Sequence, residues 1–155
     1  MRQVSVIGSS AAKSGDDIYE FAYKLGLELG KRNLIVINGG RTGVMEAVGK
    51  GVRDSGKGIT VGILTTYDGS DGNPYLHIKV NTGMNWNRNP IVVASGEVVL
   101  AVGGHYGTLS EIAYALILGK PVIGYKTHKV EGVIQVQTLE EMLKLLDEFL
   151  GLEET

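Results

Sequence analysis

The residues best placed to do chemistry lie between Val98 and Glu111, in VVLAVGGHYGTLSE. An apolar run ends at Gly103-Gly104, and a helical pattern restarts after His105-Tyr106-Gly107, with Thr108 and the acid Glu111 inside it. A plain turn needs one glycine, whereas three clear side chains from a surface beside a helix start, where backbone N–H groups and the helix dipole favour an anion. NGGRTG (Asn38 to Gly43) repeats the device as strand, GGxxG, helix, and GSS (Gly8 to Ser10) is a third turn of this kind. Bound phosphate is the chemistry these loops suit. The candidate contacts are Gly8, Ser9, Ser10, Gly39, Gly40, Arg41, Thr42, Gly43, Gly103, Gly104, Gly107 and Thr108. Each has a structural alternative. The loops could serve only tight strand-helix packing, Ser9 and Ser10 could form an ST-turn, and Thr108-x-x-Glu111 has the spacing of a capping box.

Alternating strands and helices must position these loops. Val4–Ile7, Leu34–Ile37, Ile59–Leu64, Ile78–Val80, Val98–Val102, Pro121–Gly124 and Val133–Val136 read as short apolar strands. Helices are predicted over Asp17–Lys31, Val44–Val52, Trp86–Ala94, Thr108–Leu118 and Leu139–Leu150, the last capped by Thr138 with Glu141. The pattern implies one α/β domain over residues 1–155, Rossmann-like, with a mostly parallel sheet and helices on both faces. All three glycine turns fall at strand carboxyl ends, where such sheets bind ligands. TTYDGSDGNPY, from Thr65 to Tyr75, is turn-rich and reads as a mobile loop over those ends.

Composition narrows the classes. The 155 residues are 43% hydrophobic, enough for a core without staples, and the absence of cysteine excludes disulfides, thiolate chemistry and zinc-cysteine sites. His77, His105 and His128 lack close ligand spacing, so no metal site is expected. With a net charge of −2 and scattered Lys and Arg, neither nucleic acid nor an anionic membrane is an expected partner. No signal-like segment or membrane-length apolar run is present, and a cytoplasmic protein is expected. GVRDSGKG (Gly51 to Gly58) imitates a P-loop, but it ends in glycine where a hydroxyl is needed and runs from helix to strand. A dinucleotide fingerprint fails because Asn38 and Val102 stand where its first glycine belongs.

Taken together, GGHYGTLSE, the upstream Arg88 and GGRTGVMEAV resemble the Lonely Guy phosphoribohydrolases and the related molybdenum-cofactor carrier proteins, over nearly the whole chain. The resemblance implies a Rossmann-like fold, a nucleoside monophosphate or related phosphorylated ligand, and a homo-oligomer, dimer or tetramer. Gly107, Thr108 and Glu111 match the hydrolase pattern PGGxGTxxE, and Arg88 lies at the usual distance before it. Three positions depart from that pattern. Val102 replaces its proline, His105 and Tyr106 stand where it has one residue, and Asn89 replaces a lysine after Arg88. TGMNWNRNPIVVASGEVVLAVGG looks closer to the carrier branch.

Two functions follow as expectations. One is a binding or carrier protein for a phosphorylated heterocycle, a molybdopterin-type cofactor or purine nucleotide, with no other cofactor required. Its alternative is a phosphoribohydrolase cleaving the N-glycosidic bond of a nucleoside 5′-monophosphate. There Glu111 would orient water or a ribose hydroxyl and offset oxocarbenium charge, while Arg88 holds phosphate or eases departure of the base. An arginine starting a helix before proline is, on the other hand, usually a surface residue. Asn85, Trp86 and Asn87 could line a pocket for a base or pterin, although a lone tryptophan is commonly core. Lysine decarboxylase activity, a label some relatives carry, has no lysine in a Schiff-base setting.

Overall fold

Along each central strand, successive side chains enter different cores. Val4, Val6, Val36 and Leu100 face one cluster, and Ile7, Ile37, Val99 and Ala101 the other. That period-two split, with both faces apolar, is what a parallel sheet covered on both sides requires. The computed structural model describes residues 1–152. The one-domain span expected from the sequence runs three residues further, and residues 153–155 lie outside those described.

The sheet has seven strands, β1 (Gln3–Gly8), β2 (Ile35–Asn38), β3 (Ile59–Leu64), β4 (Ile78–Asn81), β5 (Val99–Val102), β6 (Val122–Tyr125) and β7 (Val133–Val136). Their order is β4-β3-β2-β1-β5-β6-β7, and every pairing is parallel rather than most of them. Helices α1 (Asp17–Lys31), α2 (Val44–Ser55) and α5 (Leu139–Leu150) cover one face. The other face carries α3 (Asn89–Ala94) and α4 (Tyr106–Ile117). The fold is thus an α/β Rossmann-like domain. Each fully buried Val, Leu or Ile contributes about 1.5–3 kcal/mol, and both faces carry several.

Two local expectations are corrected. The helix read over Trp86–Ala94 divides into a 3-10 turn, Asn85–Arg88, followed by α3. Pro90 has no N–H with which to continue an α-helical ladder back to Trp86, so Asn89 donates to the Trp86 carbonyl instead. The loop Thr65–Tyr75 is pinned. Asp71 accepts from Thr65 N–H, Thr65 Oγ1 and Thr66 Oγ1, and Asn73 is buried with its N–H on the Gly40 carbonyl. Burial raises the Asp71 carboxyl, but the hydroxyls of Thr66 and Thr65 and the Thr65 N–H outweigh it and hold it at about 2.

The order in which strands are added reverses between β1 and β5, which pair in parallel as Ser5 with Val99 through Gly8 with Val102. This is the switch point of the sheet, and strand carboxyl ends diverge there to leave a crevice.

Candidate functional site

A cleft of about 440 Å³ opens at that switch point. Gly8 and Ser10 reach it from the end of β1, Gly39, Arg41 and Met45 from the end of β2 and α2, and Trp86, Arg88 and Asn89 from the 3-10 turn and the start of α3. The remaining side is His105 with Tyr106, Gly107, Thr108, Ser110 and Glu111 of α4. Of the residues predicted from sequence, Gly8, Ser10, Gly39, Arg41, Arg88, Gly107, Thr108 and Glu111 line the cleft. Ser9, Gly40, Thr42, Gly43, Gly103 and Gly104 do not; they build the loops behind it.

The two GGxxG loops are not equivalent. In NGGRTG the polar groups are spent inside the protein: Gly40 N–H donates to Asn38 Oδ1, Val44 N–H to the Ser9 carbonyl and Thr42 Oγ1 to the Ser10 carbonyl. Ser9 Oγ accepts from Ala11 N–H, the ST-turn alternative, and Ser9 faces a separate shallow groove. Neither α2 nor α4 has a side-chain cap, but at α2 the first N–H, that of Val44, is taken by the Ser9 carbonyl. The amino end of α4 borders the cleft, which residues 105–108 line, and the first-turn N–H groups of a helix have no partner within it.

The helix start also decides the Thr108–Glu111 ambiguity. A capping box needs Thr108 at the N-cap, but α4 begins at Tyr106 with His105 as its N-cap residue. Thr108 and Glu111 are helical, buried and on the cleft wall, so the cap reading is overturned. Glu111 is 8% exposed. Burial pushes its carboxyl up to about 8, opposed by the charge of Arg88. At neutral pH this side chain is predominantly a neutral acid, able to donate one hydrogen bond into the cleft.

Arg88 is buried, not a surface residue. Its Nε donates to the Ile63 carbonyl at 2.8 Å, Nη2 to the Gly39 carbonyl at 3.2 Å, and Nη1 to Asn89 Oδ1. Burial lowers its pKa, and Glu111, when ionised, only partly opposes this. Asn89, which stands where the hydrolase pattern has lysine, is thereby a partner of Arg88, and its Nδ2 donates to Ser110 Oγ. Trp86 is 63% exposed, which corrects the core alternative for it. Sequence reasoning missed Met45, His105, Tyr106 and Ser110 on the wall; their only local signal was proximity to the glycine loops. Among the described residues no group of three or more His, Asp or Glu side chains could hold a metal ion, and no helix is long and apolar enough to cross a membrane.

The model of the SLOG cluster4 family matches residues 1–148. The chain belongs to the SLOG cluster4 family. This SLOG cluster4 chain is 39% identical over 142 residues to a protein of Archaeoglobus fulgidus described as uncharacterized, covering 91% of each. It is similar to a molybdenum cofactor binding protein from the phototrophic bacterium Rippkaea orientalis, with 29% identity and a TM-score of 0.88 over 96% of this chain and 97% of that one. It is also similar to the molybdenum cofactor carrier protein of Chlamydomonas reinhardtii, with 26% identity and a TM-score of 0.85 over 97% and 98% of the two chains.

Proposed function

We propose that this SLOG cluster4 chain is a cytoplasmic binding or carrier protein for a phosphorylated heterocycle, either a molybdopterin-type cofactor or a purine nucleotide. The observation that carries this reading is the uncapped amino end of α4, open to a cleft that also presents Arg41 and Arg88. An anion there meets unpaired N–H groups and two guanidiniums, and the cleft is large enough for a bicyclic ring beside it. The names of the Rippkaea and Chlamydomonas proteins support cofactor carriage. A protonated Glu111 offers a hydrogen-bond donor to a ring nitrogen or carbonyl of the ligand.

The phosphoribohydrolase reading rests on Gly107, Thr108 and Glu111 in the GTxxE pattern. One experiment separates the two. The protein is incubated with nucleoside 5′-monophosphates and with a phosphorylated pterin, and bound ligand and free ribose 5-phosphate are both measured. Stoichiometric binding without release supports the carrier. Catalytic release of ribose 5-phosphate makes it a hydrolase, and failure to bind any of them overturns both readings.

Self-association is part of the proposal. In α4 the sole charged residue is Glu111, which is buried, while Tyr114 and Ile117, the following Leu118 and Ile91 of α3 are exposed. A surface helix without exposed charge suits contact with a second copy.

A further inference from the structure

Trp86 is the single tryptophan of the chain, and it stands on the cleft wall with most of its surface exposed. Its setting is rigid. Asn85 N–H donates to the Thr65 carbonyl at 3.0 Å, and Arg88, two residues on, is tied to Ile63 and Gly39. Tryptophan ordinarily hides its large apolar area, so an indole held open on a fixed turn is a surface prepared for something flat.

A guanidinium already rests there. Arg41 Cζ lies 4.9 Å from the ring centroid. Its main chain is anchored, with Asn73 Nδ2 on the Arg41 carbonyl at 2.9 Å, but the side chain is not. The nearest carboxylate oxygen, Asp71 Oδ2, is 3.9 Å from Arg41 Nε and already accepts two hydrogen bonds from Thr65. A cation over an exposed ring is held weakly, and a charge-assisted bond to phosphate is the stronger alternative.

We propose that Trp86 and Arg41 form an exchangeable pair that selects a flat bicyclic ring bearing an anionic tail. The ring of the ligand takes the place of Arg41 on the indole, and the released guanidinium closes on the phosphate. This rests on the phosphorylated-heterocycle reading and adds the residue that recognises the ring. Its consequence is coupling between the two ends of the ligand. An anion alone draws Arg41 away and leaves the indole bare, and a ring alone displaces a cation that has no new partner. The complete ligand therefore binds more tightly than its halves together predict.

Because Trp86 is the only tryptophan, its emission and its quenching by acrylamide report this one ring. Pyrophosphate, guanosine and GMP are titrated separately, with 6-carboxypterin as the pterin arm. Pyrophosphate is expected to leave Trp86 open to acrylamide, whereas GMP or 6-carboxypterin shields it; whichever does so more strongly identifies the ring class. Trp86→Leu, checked for fold by circular dichroism, loses about tenfold or more in affinity for the shielding compound, as expected for one stacked ring, and binds pyrophosphate at least as tightly as wild type because Arg41 no longer has to leave the ring. Trp86→Phe restores most of the loss, and Arg41→Gln weakens pyrophosphate and GMP alike. Unchanged GMP and 6-carboxypterin affinity in Trp86→Leu overturns the pair while leaving the phosphate reading intact. A wild type that binds none of the four compounds overturns both.

Discussion

Arg88 and Gly39 fill one another's space: Nη2 donates to the Gly39 carbonyl at 3.2 Å, and a β-carbon on Gly39 would lie 2.5 Å from that nitrogen. The glycine leaves room for a buried cation, and the cation ties the end of β2 to the end of β3 through Ile63. Arg88 is thus a strut between strand ends as well as a cleft residue.

Removing the strut should cost stability before any ligand is considered. Arg88→Met leaves the Ile63 and Gly39 carbonyls and Asn89 Oδ1 without their donor, and is expected to lower unfolding free energy by roughly 2–4 kcal/mol. Lysine cannot reproduce the fork, so Arg88→Lys recovers little. Urea unfolding measures both, and a Met variant within about 0.5 kcal/mol of wild type would refute the strut.

Glu111 predicts a pH dependence whose sign is fixed. Its folded value, about 8, lies above the ordinary 4.5. Its stabilising contribution is complete below the ordinary value, where both states are protonated. As pH rises from there the unfolded chain ionises first, so stability falls until the folded carboxyl also ionises near 8. Glu111→Gln removes this loss. The variant's advantage should widen by a few kcal/mol between pH 5 and pH 8, read from urea midpoints at each pH. A difference constant with pH would show that Glu111 ionises normally in the fold.

Two glycines in one loop should fail for different reasons. A β-carbon on Gly107 meets nothing nearer than Asn89 Nδ2 at 4.0 Å, so Gly107→Val keeps the fold and fills the cleft beside the α4 amino end. At least about tenfold weaker binding of pyrophosphate is expected, with melting temperature little changed. Gly104 has φ 109, and its β-carbon would lie 2.2 Å from Thr108 Oγ1. Gly104→Val should therefore destabilise by about 1–3 kcal/mol. Full pyrophosphate affinity in a folded Gly107→Val protein would remove the phosphate site from this helix.

Ile117 is 75% exposed on the charge-free face of α4. Ile117→Asp puts a charge where a second copy would bury a side chain, and it should convert the oligomer to monomer in sedimentation velocity without lowering monomer stability. A wild type that sediments as a monomer at micromolar concentration would rule out this interface.

Most strands were legible because they are short apolar runs bounded by turn residues, and α5 because Thr138 caps it as the spacing implies, its Oγ1 accepting from Glu141 N–H at 3.1 Å. Thr108 and Glu111 have that same spacing and a different fate. What separates them is tertiary: Thr127 Oγ1 bonds the Gly103 carbonyl and His128 Nε2 sits 2.9 Å from the His105 carbonyl, holding a turn that starts α4 at Tyr106. Distance along the chain likewise hid the difference between the two glycine loops. Ser9, Ser10 and Asn73, all remote from NGGRTG, fill its hydrogen-bonding groups, and no local pattern carries that information. Arg88 looked like a surface cation for the same reason, since the carbonyls that bury it come from β3 and the end of β2.

The pairing of Ser5 with Val99 also sets when the cleft can exist. Neighbouring parallel strands need a crossover, and the β1–β5 contact closes a loop containing three strands and three helices, so its entropy cost is met late in folding. Helices α1 and α2 can pack against β1 and β2 long before α4 brings its amino end to the crevice. In refolding from urea, helical signal should thus return ahead of ligand capture, and the slowest phase should be the one that restores it. Capture is a report on completed topology, which a partly folded chain, however helical, does not supply.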